Sequence, residues 1–172
     1  MRWIIWILSL LFLLYAENRL RTAGEQLLKP IVNQNPPDLS IGISKDDFIA
    51  FLEAGGPDGR RVYVDVIKAN DFLYPLAYGV FFSYTIFLLA SGLDSKFLKN
   101  FAFLPIISML ADFTENSCFI LLASEYPEFN NTIFFIGRNA QMVKWYGAFA
   151  SILVILILIV LNIRKKFATK SS

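Results

Sequence analysis

The sequence predicts an all-α integral membrane protein: four membrane-spanning helices in a bundle, with a small helical extracytoplasmic cap. Three observations predict it. Hydrophobic residues make up 56% of the 172 and charged residues only 17%, against about 45–50% and about 25% in soluble domains. The apolar residues gather into four runs, about 3–20, 72–92, 101–123 and 143–163, each near the ~20 residues that cross ~30 Å of hydrocarbon. Basic residues crowd the short segments on one side of these runs: Arg2, Lys96, Lys99, Arg164, Lys165, Lys166 and Lys170.

The first run, WIIWILSLLFLLYA, is short enough for a signal-peptide core of about 7–15 residues. Its leading segment is only Met-Arg, and no A-x-A site follows. It is read as a retained span that continues through Asn18 to Leu20, with Trp3 and Trp6 anchoring one interface. Residues 21–71 form the cap. Within it, Ser44 and Asp47 fit a capping box, and Phe48, Phe51 and Leu52 share one helical face. Gly55-Gly56-Pro57 ends that helix, and a second begins near Pro57 with an apolar stripe of Val62, Tyr63, Val66 and Ile67.

The second span either continues this helix or restarts at Asn70-Asp71. Pro75 then lies in a first turn or kinks a continuous helix. Residues 124–142 read as a loop whose aromatic residues, Tyr126, Phe129, Phe134 and Phe135, lie at the interface. Asn130-Asn131-Thr132 is an N-x-T triplet, relevant only in a eukaryotic secretory pathway. Gly79-x-x-x-Ser83 and Gly147-x-x-x-Ser151 suit close helix packing within the bundle. The whole chain is expected to be a single membrane domain.

Topology follows from charge. Seven Lys/Arg from Arg19 to Lys68 are diluted among the nine acids of residues 17–71, so the positive-inside rule puts both termini and the 93–100 turn in the cytoplasm. A net charge of +2 gives no reason to expect nucleic acid. The chain has no His and a single Cys, Cys118, which removes His-ligated metals, Ser-His-Asp catalysis and an internal disulfide. No cofactor or metal is expected.

The third span carries the one plausible buried polar site. At 100° per residue, Ser108, Asp112, Glu115 and Asn116 form a single stripe. If the span enters at Phe101, Asp112 lies ~16 Å deep and Glu115 ~21 Å. An acid at mid-membrane costs about 2.5–3.5 kcal/mol on insertion scales, against about 0.6 kcal/mol for a typical interhelical hydrogen bond there. The two acids must therefore face the bundle, be paired or be protonated. Counting along the neighbouring spans brings Lys144 and Tyr78 to their level, with Tyr74 and Asp71 toward an outer mouth. The expected cluster is Asp112, Glu115, Asn116, Tyr78 and Lys144, with Tyr74 and Asp71 above it. Asn116 alone reads as structural.

G-R-R-x-Y at 59–63, F-L-Y-P-L-A-Y-G at 72–79, D-x-x-E-N at 112–116, Tyr126-Pro127 and Lys144-Trp145 together resemble a group of uncharacterised bacterial membrane proteins with four transmembrane helices. The similarity covers about residues 44–160. It implies a four-helix membrane fold in a bacterial inner membrane and supplies no activity. A looser similarity is to the sterol-isomerase-like four-span family that includes emopamil-binding proteins. No catalytic residue carries over from it.

The expected function is a carboxylate-containing pocket between spans two, three and four. It would bind a small hydrophobic, lipid-like or cationic molecule, or relay protons. The rivals are an intramembrane lipid-modifying enzyme with Asp112 or Glu115 as acid/base, and a structural partner subunit of a membrane complex. The bilayer is the one certain partner on this reading, and a homo-oligomer stays open.

Overall fold

The computed structural model describes residues 1–32 and 34–168. Every regular element among them is helical: α1 (Arg2–Ala23), α2 (Lys45–Ala54), α3 (Gly56–Val66), α4 (Leu73–Gly92), α5 (Lys96–Lys99), α6 (Leu104–Glu125) and α7 (Asn131–Ala168). π-helical turns follow α1 (Gly24–Leu28) and α3 (Ile67–Asp71). Lys170, counted above among the basic residues, lies outside the described residues.

Four continuous helical stretches are long and apolar enough to cross a membrane: Arg2–Leu28, Gly56–Gly92, Lys96–Glu125 and Asn131–Ala168. The shortest, 27 residues, is ~40 Å long, more than the ~30 Å of hydrocarbon. The surplus changes the expected boundaries. The first helix does not end near residue 20. Nothing between Asn18 and Leu28 breaks it, and the Arg21–Glu25 pair at 3.3 Å supports its outer turns. The 124–142 segment is not a loop throughout, because α7 begins at Asn131. Asn130 Oδ1 accepts from the backbone N–H groups of Thr132 (3.0 Å) and Ile133 (3.2 Å), as a helix N-cap does. The N-x-T triplet is thus the start of a helix.

The expected cap of α2 and the turn after it are met, whereas Phe134, expected at the interface, is buried in the core. Asp47 N–H donates to Ser44 Oγ at 3.1 Å, which caps α2. Gly56 reverses the chain between α2 and α3 at φ +58°, a conformation that favours glycine. α3 runs through its π turn into α4, so Pro75 sits in a continuous helical stretch, Gly56–Gly92.

Two apolar cores hold the bundle. The upper one joins α2 and α3 to α6 and α7 through Phe48, Leu52, Tyr63, Phe119, Leu122 and Phe134, with Phe48 and Phe119 ring centroids 4.7 Å apart. The lower one is centred on Ile86, Ala90 and Leu158. Between them α6 and α7 approach closely: a Cβ on Gly147 would come 3.1 Å from Ser108 Cβ. That close approach lets the polar stripe of α6 reach α7. The outward faces of α1 and α7 stay apolar, with Trp3, Leu8, Leu11, Phe149, Leu153 and Leu156 exposed.

Candidate functional site

The α6 stripe points inward. Ser108, Glu115 and Asn116 have no measurable exposure, and Asp112 is 2% exposed. Lys144 reaches them from α7. Its Nζ lies 2.5 Å from Glu115 Oε2, an ion-pair contact made off the hydrogen-bond direction. It also donates to Asp112 Oδ1 at 3.5 Å. Tyr78 on α4 donates its hydroxyl to Asp112 Oδ2 at 3.1 Å. Ser108 Oγ donates to the Lys144 carbonyl at 2.6 Å, tying α6 to α7 one turn below. Asp112 therefore has two donors aimed at it, and Glu115 has one ammonium in contact, so each acid meets a cation away from water.

Asn116 has a different task. Pro75 has no N–H to offer the carbonyl four residues back, and that carbonyl belongs to Asp71. Asn116 Nδ2 donates to it at 3.0 Å. The side chain thus replaces a backbone hydrogen bond that the proline removes. Asn116→Leu should cost about 1–3 kcal/mol by leaving a buried acceptor unmade. Adding Pro75→Ala should recover part of that loss in thermal unfolding of the detergent-solubilised protein. Equal loss in single and double variants would show that Asn116 acts otherwise.

Gln141 and Asp38 belong to the cluster and were not expected there. Gln141, one turn before Lys144 and fully buried, donates through Nε2 to Glu115 Oε1 (2.9 Å) and to the Pro37 carbonyl (2.8 Å). Its Oε1 accepts from Ile43 N–H at 2.8 Å. Lys144 Nζ also approaches the Asp38 carbonyl at 3.4 Å, and Arg138 Nε donates to the Gly42 carbonyl at 3.4 Å. α7 thereby straps the segment around Pro37–Ile43 across the top of the cluster. Asp38 is half-buried by this packing. Burial pushes its pKa up, and the Lys144 ammonium opposes the rise.

The cavity is not where it was expected. A cavity of about 630 Å³ opens beside the cluster, between the outer end of α1, the segment around Asp38 and the α3–α4 junction. Of the seven expected residues it takes Asp71 and Tyr74. Asp112, Glu115, Asn116, Tyr78 and Lys144 do not line it. This cavity lies beside the meeting of spans two, three and four, where Lys144, Gln141 and Tyr78 pack. Tyr74 forms the link, edge-on to Tyr78 with centroids 5.4 Å apart.

The cavity walls are mostly apolar, with Leu20, Leu28, Val66 and Ile67 among them. Its polar groups are short of partners. Asp71 is 4% exposed, and its carboxylate forms no ion pair among the described residues. Tyr63 is 1% exposed, and its hydroxyl has no hydrogen-bond partner among the described residues while sitting in the field of Asp38, Glu115 and Asp71. Four acids thus share one region with Lys144, whose ammonium is taken up by two of them. The chain matches no known family model, no curated protein and no solved structure.

Proposed function

We propose that this chain is an integral membrane protein with both termini in the cytoplasm, and that it binds a small cationic amphiphile in the cavity beside Asp71. The four long apolar helices and their oily outward faces support insertion. The basic residues at Arg2, Lys96, Lys99 and Arg164–Lys166 support the orientation. Residues of the α1 outer end, α2 and α3 then form the extracytoplasmic cap. We read the resemblance to four-span bacterial proteins in the same way, as an inner-membrane protein of that kind.

The observation that carries the ligand class is the cavity's mismatch of charge. Its apolar area suits a hydrocarbon chain, and its four acids, Glu17, Glu25, Asp38 and Asp71, outnumber its two cations, Arg21 and Lys29; Arg21 pairs with Glu25, and Asp71 has no ion-pair partner among the described residues. Asp71 lies 21 residues from Gly92 along one helical stretch, ~31 Å above the cytoplasmic end. That is the outer boundary of the hydrocarbon, where an amphiphile places its head.

Native mass spectrometry of the gently extracted protein tests this, with a long-chain primary amine and the matching alcohol as probes. The amine should bind the wild type and bind about tenfold more weakly to Asp71→Asn, the loss expected for one hydrogen bond to a charged group. Tyr63→Phe should weaken it less. Equal binding of amine and alcohol, or an amine indifferent to Asp71→Asn, would overturn the proposal.

A further inference from the structure

A second concavity, a groove of about 400 Å³, lies between α4 and the start of α6. Leu76, Val80 and Phe87 form one wall, and Phe103, Ile106 and Met109 the other. No charged residue lines it. Gly79 lets Met109 pack close to α4, since a Cβ there would come 2.8 Å from Met109 Sδ, and the Ser83 hydroxyl is buried without a hydrogen-bond partner among the described residues.

Three facts identify what would fill it. Leu76 to Phe87 spans ~16 Å of helix, from ~7 Å to ~24 Å above Gly92, about half the length of the ~30 Å hydrocarbon. A partner's transmembrane helix would need a groove of full depth, whereas a single lipid chain needs only about this length. Phe87 marks the lower end, five residues from Gly92 and close to the basic turn. There the Lys99 ammonium stands 5.5 Å from the Phe87 ring centroid and forms no ion pair among the described residues. An apolar channel about as long as one acyl chain thus ends near a cation that has no ion-pair partner among the described residues.

We propose that the groove seats one acyl chain of an anionic phospholipid of the cytoplasmic leaflet, with its phosphate at Lys99. The inference rests on membrane insertion and is independent of the amphiphile site, which lies at the other end of α4.

The test is native mass spectrometry of the full chain, delipidated and then offered phosphatidylglycerol or phosphatidylcholine of identical chains. The wild type should retain phosphatidylglycerol about fivefold better, the effect of one lysine at an anionic head. Lys99→Gln should erase that preference. Val80→Trp fills the groove from a position that is 45% exposed, so the fold accepts it, and it should lower retention of both lipids. Equal retention of the two lipids by the wild type would overturn the proposal. So would a preference untouched by Lys99→Gln, or retention unchanged in Val80→Trp, which would mean charge attraction with no seated chain. A dimer that Val80→Trp dissolves would assign the groove to a second copy instead.

Discussion

Lys144→Met should destabilise the protein by about 3–5 kcal/mol, the cost of removing one partner from a buried ion pair. The size follows from what is left behind. Glu115 would keep the Gln141 amide at 2.9 Å, and Asp112 would keep the Tyr78 hydroxyl at 3.1 Å, but neither would face a positive charge. Methionine matches the lysine stem in length and flexibility, so lost packing contributes little. The unfolding midpoint in detergent should fall by roughly 10 °C. The decisive control is the triple variant with Asp112→Asn and Glu115→Gln. Once both acids are neutral the missing cation no longer matters, and most of the stability should return. A Lys144→Met protein that melts with the wild type would show that the contacts across α6 and α7 carry no net charge energy.

This expectation separates the two parts of the polar region. The Asp112–Glu115–Lys144 centre is packed and internally paired, so its substitution should act on stability first. The Asp71 cavity has room and unmet acceptors, so its substitution should act on binding. Asp112→Asn that abolished amine binding while leaving the melting curve untouched would reverse that division.

The polar stripe of α6 was legible because helical periodicity is local. Ser108, Asp112, Glu115 and Asn116 lie within nine positions, and the insertion cost of an acid demands an inward face. Lys144 and Tyr78 were reachable because the rise per residue converts sequence position into depth. Gln141 and Asp38 were not. Gln141 fell in a stretch read as loop, because the cap at Asn130 was not recognised. Asp38 sits among prolines, where an acid ordinarily reads as solvated. Their meeting spans about a hundred residues, and no periodicity encodes that separation. The position of the cavity was hidden for the same reason. It depends on where α1 ends, and α1 runs past its apolar stretch on helix propensity and an ion pair rather than on hydropathy. The partnership of Pro75 and Asn116 was half legible: the proline announces a free carbonyl at Asp71, but only the fold shows which amide meets it.

Gln141→Leu should be the second most damaging single change, and its signature should be local. Leucine fits the volume but offers no polar atom. The Ile43 N–H, the Pro37 carbonyl and Glu115 Oε1 would each lose a partner in one step. At about 1–3 kcal/mol for each buried group left unmade, the full loss would approach that of Lys144→Met. The structure has a cheaper response, however. The segment around Pro37–Ile43 is held to α7 mainly by this side chain, with long contacts from Arg138 (3.4 Å) and Lys144 (3.4 Å) beside it. Releasing the segment lets water satisfy the two backbone groups, so part of the global loss should be exchanged for local opening. Amide hydrogen exchange should then accelerate across residues 37–43, while α6 and the lower half of α7 keep their protection. Because Asp38 and Pro36 wall the cavity, amine binding should weaken together with this opening. Rapid exchange with binding intact would mean that the strap is not part of the ligand site. Unchanged exchange throughout would mean that Gln141 does not hold it.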